Sequence, residues 1–396
     1  MMFLAVRACM PIVLLLCVLR LSAQPVVPVA AVSAPTAEAM AADLFEEVHR
    51  IPVRLTDLYG RTDSALMPLT LYRPAEPGPH PLVIFNHGRA SGAARAKPLR
   101  QRFEVLARYL VNKGFVVLVP TRIGYGETYG GFDAETAGTQ CERLQFDAMA
   151  RVASDQVLAT LEWARQRPEI DTQRWLVMGI SVGGLTSVAT VWRQPPGLLG
   201  GVNFSGGSGG DPERSPGRPC SPQRMAQLFQ EKGALAQVPM QWLYWENDLF
   251  WGAEHPKTWF QAWTRAGAPA EFTSLPPVGK DGHSGLNIDM NHWVPVVDAF
   301  LARLGFDRPG WPPRPPVNPT VKVDEVDKVP VPDANRALYA SKFLTSPLPR
   351  AFAFSPSGSV GWASGDWAAG RALGYCQSRR GVRCSLYAVD QDVVWP

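Results

Sequence analysis

The chain has 396 residues, a length that suits two domains with connecting segments better than one. Apolar residues make up 46% and charged residues 19%, which excludes a disordered polyelectrolyte and supplies enough side chain for a large core. The net charge of +4 comes without a dense Lys/Arg run, so no nucleic-acid footprint is expected.

Residues 1–23 read as a secretory signal peptide. Arg7 is its positive region, an apolar run from Ala8 to Leu19 follows, and Leu21 and Ala23 occupy −3 and −1 of a cut after Ala23. The run is short for a bilayer span, so the mature chain is expected in the periplasm or medium without stable membrane insertion. Cys17 follows Leu14-Leu15-Leu16 and lacks the small residue expected before a lipidated cysteine. Four cysteines remain after cleavage, Cys141, Cys220, Cys376 and Cys384, an even number in keeping with disulfides in an oxidising compartment. Three pairings are open. The nearness of Cys376 and Cys384 favours a local bridge, which leaves Cys141 for Cys220. No C-x-x-C and no His/Cys group with zinc spacing occurs, so no metal or cofactor is expected.

Residues 24–47 are expected to be a flexible lead-in, rich in Pro, Val and Ala at its start. Residues 53–57 and 67–73 alternate in polarity around a turn-rich 59–64, which predicts an antiparallel pair. Residues 81–86 form a continuous apolar run, as a strand buried on both faces requires. A helix is predicted over 97–112 through Phe103, Leu106, Ala107 and Leu110, and a strand over 115–120. Helices at 148–165, 185–192, 222–232, 256–266 and 294–304 then alternate with strands at 174–180, 198–205, 239–245 and 271–275. This alternation over residues 48–305 predicts an α/β fold with a mostly parallel, doubly wound sheet. Residues 306–332, Pro-rich around Pro312-Pro313-Arg314-Pro315-Pro316, read as an extended linker. Residues 333–396 read as a small α+β module with strands at 352–355 and 385–389 and a helix at 368–377.

In such a sheet, ligands bind at the carboxyl ends of the strands, so the residues there carry the functional argument. Gly179-Ile180-Ser181-Val182-Gly183 ends an apolar strand and opens a helix, the context of a nucleophile elbow. Ser181 is the candidate nucleophile. The order Ser, acid, His leaves three histidines downstream: His255, His283 and His292. His283 lies between glycines just past the last strand and is the candidate base. His292 opens a helix and is assigned to capping and packing; His255 is assigned to the surface. Asp248 is the candidate acid because it stands just beyond a strand end; Glu246 is its rival. The oxyanion donors are expected to be the Val182 N–H and the Arg89 N–H behind His87-Gly88, with Gly88 permitting close backbone approach. The Arg89 side chain is left to an acidic substrate or to solvent, and His87 to packing. Tyr125 opens a long connection to Arg143 that, with residues 206–219, is expected to wall the pocket, fastened by a Cys141–Cys220 bridge.

Taken together, Asn86-His87-Gly88, Arg122-Ile123-Gly124-Tyr125-Gly126, the elbow, Tyr244-Trp245-Glu246-Asn247-Asp248 and Asp281-Gly282-His283 resemble an α/β-hydrolase of the dienelactone hydrolase type over residues 48–305. The resemblance implies a Ser181–His283–Asp248 triad acting on carboxylic esters or lactones. The family's namesake is a cytosolic enzyme with a cysteine nucleophile. This chain has serine and an export signal, so the namesake's substrate is not carried over. The expected partner is a small-molecule ester, and the sequence sets no oligomeric state. Two other readings compete: a serine peptidase resembling the prolyl oligopeptidase group, and a catalytically silent fold that works by binding.

Overall fold

The computed structural model describes residues 38–395 except 39, 91, 98, 311–314, 366 and 378–381. The expected signal peptide and most of the lead-in lie outside the described residues. No described helix is long and apolar enough to cross a membrane.

The chain opens with an antiparallel pair, β1 (Glu47–Thr56) and β2 (Thr62–Tyr72), in register from Glu47 opposite Leu71 to Thr56 opposite Thr62. Next come β3 (His80–Asn86), the single turn α1 (Gly92–Arg95), α2 (Glu104–Asn112), β4 (Val116–Pro120), α3 (Phe146–Arg165), β5 (Ile170–Ile180) and α4 (Val182–Trp192). Then come β6 (Leu198–Phe204), α5 (Pro222–Gly233), β7 (Met240–Trp245), α6 (Glu254–Arg265), β8 (Ala270–Leu275), the short α7 (Gly285–Ile288) and α8 (Met290–Arg303). The sheet order is β1-β2-β4-β3-β5-β6-β7-β8. All pairings from β4 to β8 are parallel; β1 and β2 are antiparallel additions at one edge. This is the α/β-hydrolase fold.

Alternate side chains of each central strand leave the sheet on opposite faces, so two cores form. Leu82, Ile84, Trp175 and Val177 join α3, α4, α5 and α6 on one face. Val83, Phe85, Leu176 and Met178 join α2 and α8 on the other. Burial on both faces explains why these strands read as unbroken apolar runs. After β3 the chain runs to β4 on one side and returns to β5 on the other. The ends of β3 and β5 therefore meet at a reversal of strand order, where such sheets open a crevice.

Among the boundaries that depart from the sequence reading, three stand out. The helix expected over 97–112 starts at Glu104, because Phe103 takes a left-handed conformation (φ 49°, ψ 44°) that a helix cannot include. Residues ahead of it are held by side chains instead: Gln101 N–H donates to Thr121 Oγ1, and Arg100 and Arg102 reach Glu46. The lead-in is likewise fixed before residue 47. Ala41 and Leu44 are buried, and the buried Glu46 carboxylate accepts from Arg100, Arg102, the Ala41 N–H and the Tyr72 hydroxyl. The expected linker is shortened at its far end, because Val329 and Val331 are buried in the terminal module's core.

That module contains α9 (Asp333–Leu338), β9 (Arg350–Phe354), β10 (Val360–Ser364), α10 (Ala368–Gln377), β11 (Ser385–Val389) and β12 (Asp392–Val393). Its antiparallel sheet has the order β10-β9-β11-β12. One face packs on α10 through Ala351, Ala353, Ala363 and Ala372; the other carries Tyr339, Phe343, Phe352, Phe354 and Tyr387. A Cys376–Cys384 disulfide ties the end of α10 to the strand after it. The module is docked: α10 packs on α2, and Trp367 meets Tyr109 edge-on with ring centroids 5.2 Å apart.

Candidate active site

Ser181 sits between β5 and α4 at φ 59° and ψ −126°, a conformation that costs a non-glycine residue on the order of 1–3 kcal/mol. Backbone bonds hold it there. Ser181 N–H donates to Phe204 O at 2.9 Å, and Ser181 O accepts from Leu185 and Gly207 N–H, each at 3.1 Å. The glycines on either side are required by crowding. A Cβ at Gly179 would overlap the Gly183 carbonyl, and one at Gly183 would overlap the carbonyls of Asn86 and His87. Val182 opens α4, where N–H groups lack partners within the helix and favour negative charge.

Asp248 lies three residues beyond β7 and is 2% exposed. Its Oδ1 accepts from the N–H groups of Phe250 (2.8 Å) and Trp251 (3.2 Å), which fix the carboxylate. Its Oδ2 lies 2.9 Å from His283 Nδ1. An ionised carboxylate can only accept, so Nδ1 is the donor in this bond, which leaves Nε2 for the cavity side. Glu246, the rival acid, is exposed and accepts only a long bond from the Ser274 hydroxyl at 3.4 Å. His292 bonds instead to Asp289 at the start of α8, 2.5 Å away.

The loop after β3 approaches the elbow closely: a Cβ at Gly88 would stand 3.0 Å from Ser181 Cβ. His87 is 1% exposed, and its Nε2 accepts the Arg122 N–H at 3.0 Å. Its Nδ1 must then hold the proton and donate to Gly88 O at 2.7 Å. Burial, then the Arg122 charge, holds this imidazole well below the ordinary histidine pKa, so it stays neutral. With the Gly88 carbonyl anchored, the Arg89 N–H of the same trans peptide points the opposite way.

The Arg89 side chain has partners within the protein. It pairs with Asp133 at 2.6 Å and donates to Tyr125 Oη (3.4 Å) and Glu135 O (3.3 Å). Tyr125 is buried, and its hydroxyl donates to Glu135 Oε2 at 3.2 Å. Burial and the Glu135 charge raise its pKa to about 12, so it remains a hydroxyl. Gly88, Arg89, Tyr125, Ser181 and His283 line one cavity of about 420 Å³.

The expected pocket wall needs correction. The Cys141–Cys220 bridge is formed, but no residue of 206–219 lines this cavity. Trp251 fills the space between, with its indole bonded to Ser205 O at 2.7 Å and its ring against Gly207. Of the expected wall only the start of the long connection, Tyr125 and Gly126, lines the cavity; the rest includes Leu99, Gln101, Phe103, Phe250 and Asn287, which the sequence reading missed. Phe250 stacks on the His283 ring with centroids 3.9 Å apart. Asp281 caps the turn that carries His283, accepting from His283 N–H and Leu249 N–H, each at 2.9 Å. Asn247 clamps the same loop through Val278 N–H (3.0 Å) and Val278 O (3.1 Å). The Asp-x-His spacing was a readable signal for the cap; the loop wall had none.

A family model for the dienelactone hydrolase family matches residues 69–284. Similar solved structures include a Mycobacterium tuberculosis puromycin-hydrolyzing peptidase, 16% identical with TM-score 0.44, over 67% of this chain and 40% of that one. A putative dienelactone hydrolase from Klebsiella pneumoniae is 18% identical with TM-score 0.42, over 66% of this chain and 98% of that one. Acetyl xylan esterase 1 from Thermoanaerobacterium is 17% identical with TM-score 0.44, over 66% of this chain and 88% of that one. No curated protein matches the sequence. The family match covers more than half of the chain and contains Ser181, Asp248 and His283, and on that ground the chain belongs to the dienelactone hydrolase family.

Proposed function

We propose that this chain is an exported serine hydrolase that cleaves carboxylic esters or lactones through an acyl-enzyme. The observation that carries the reading is the 2.9 Å bond from His283 Nδ1 to Asp248, with His283 and the strained Ser181 lining one cavity. In this reading Ser181 Oγ attacks the ester carbonyl while His283 Nε2 takes its proton. Asp248 holds the ring in the tautomer this requires and stabilises the imidazolium. The N–H groups of Val182 and Arg89 receive the oxyanion, and Gly88 lets that backbone come close. Collapse expels the alcohol, which takes the proton back from His283. Water, activated by the same Nε2, then releases the acid and restores Ser181. Tyr125 contributes cavity wall and helps hold Arg89. Two formed disulfides and the N-terminal Arg7-to-Ala23 pattern support export.

The experiment is turnover of p-nitrophenyl acetate and butyrate set against aminoacyl anilides. Ester cleavage lost in Ser181→Ala is the expected result. Preference for anilides makes the chain a peptidase, and no turnover of either makes it a binding protein. Amino-terminal sequencing of the exported form should begin at Gln24.

A further inference from the structure

A second cavity, of about 310 Å³, adjoins the first. Leu99, Phe103 and Asn287 line both, so any passage between them runs past these three side chains. Gly374 and Gln377 of α10, which belongs to the C-terminal module, also line the second cavity. Phe103 stands where the two adjoin with a left-handed backbone that aromatic residues rarely adopt, and its ring packs on Phe85 at 4.7 Å.

Apart from Asn287, which is exposed where the two cavities adjoin, the polar groups around this second cavity are committed to one another. Arg100 bonds to Glu38 and Glu46, Arg102 to Glu46, and Glu104 to Arg108. Gln377, with its amide nitrogen turned toward Glu104, donates to that carboxylate. What remains for a ligand is the apolar surface of Leu99, Phe103, Val105 and Leu106, and Leu99 is 45% exposed. Such a wall recognises hydrocarbon, since a polar ligand group would be desolvated there without a partner.

We propose that the second cavity is a subsite for an unbranched hydrocarbon chain of the ester, and that the C-terminal module sets chain-length preference by lining it. The inference rests on the ester-hydrolase reading of Ser181. The chain reaches the subsite past Phe103, from either the acyl or the alcohol side of the ester, and the experiment separates the two.

The measurement is kcat/KM for p-nitrophenyl acetate and octanoate, and for ethyl and octyl acetate, in the full chain and in two variants. Val105→Trp fills the subsite from α2; Asn287→Trp, on an exposed position of α7, narrows the passage. Circular dichroism and melting establish that each variant is folded. In at least one folded variant the long-to-short ratio should fall about tenfold or more, the scale set by a few methylenes of lost contact. A fall in the octanoate ratio assigns the subsite to the acyl chain, and a fall in the octyl acetate ratio assigns it to the alcohol. Folded variants with both ratios unchanged overturn the proposal, as does a wild type that turns over neither long ester. Absent acetate turnover in the wild type removes the Ser181 reading and this inference with it. Acetate turnover with unmoved ratios removes the inference alone.

Discussion

At Asp248 a single carboxylate separates two very similar sequence candidates. Its Oδ1 is held by two backbone N–H groups and its Oδ2 faces His283, whereas Glu246, two residues earlier, points to solvent. Asp248→Asn should lower kcat on the order of 10⁴-fold, since an amide supports the wrong imidazole tautomer, while Glu246→Gln should change kcat little. Steady-state kinetics on p-nitrophenyl acetate tests the ranking. His87 gives a second prediction at this scale. It is buried, neutral and bonded at both nitrogens, so it positions the Gly88–Arg89 peptide and does not transfer protons. His87→Ala should lower kcat by about 10²–10³-fold, the effect of misplacing one oxyanion donor. KM should move little and the pH–rate profile should keep its shape; loss of a limb of that profile would make His87 a titrating participant. Ser181, His283 and Asp248 were legible because strand ends and glycine spacing mark them. Phe250 and Asn247 were not, because a ring that stacks on a base or a side chain that clamps its loop leaves no periodicity to read.

Among the elements, the buried strands were the most legible, since two-sided burial writes continuous apolar runs such as Leu82 to Phe85 and Trp175 to Met178. The start of α2 was not. Its apolar spacing extends back to Phe103, but Phe103 is left-handed and the arginines ahead of it are drawn to Glu46. That network also fixes residues 41–46, which composition alone assigns to a loose tail. Strand β10 was missed because Gly361 and the neighbouring glycines read as loop, whereas Gly361 allows the close approach of α10. The Glu46 network carries a stability prediction. Burial alone raises the Glu46 carboxyl, and Arg100 and Arg102 outweigh it, so its folded pKa lies below the ordinary 4.5. A depressed carboxylate stabilises the fold above the ordinary value and loses that contribution as pH falls through the folded one. Glu46→Gln should therefore destabilise at pH 7 by about 1.5–3 kcal/mol, the scale of lost charge-assisted hydrogen bonds, since Arg100 keeps Glu38 and Arg102 keeps Glu104 as partners. The gap in melting temperature between the two proteins should narrow as pH falls below the ordinary 4.5. A gap that stays constant with pH would show that the loss is one of packing.

For the whole molecule, the open issue is how far the two parts depend on each other. We propose that residues 48–305 fold without the C-terminal module, since both core clusters lie almost wholly within them. Ala41, Leu44 and Phe306 flank that range, and the one contribution from the module is Trp367, which packs on Tyr109 and belongs to the core of the larger part. A chain ending at Phe306 uncovers the Tyr109 ring and the α2 surface under α10. Returning one large apolar side chain to water costs roughly 1.5–3 kcal/mol, which for this size lowers the melting temperature by about 5–10 °C. Calorimetry of the truncated protein tests this. An unchanged melting temperature would mean that the docking contributes nothing, and a chain that fails to fold would move the boundary. Sequence marked the division by its prolines but could not show the docking, because a buried tryptophan in a small module carries no mark of which core it enters.

The central claim is that Ser181 is the nucleophile, and a fluorophosphonate probe tests it most directly. Stoichiometric phosphonylation, located by tryptic mass spectrometry on the peptide that contains Ser181 and abolished in Ser181→Ala, is the predicted result. Labelling at any other residue, or an ester-hydrolysing Ser181→Ala protein, would contradict it.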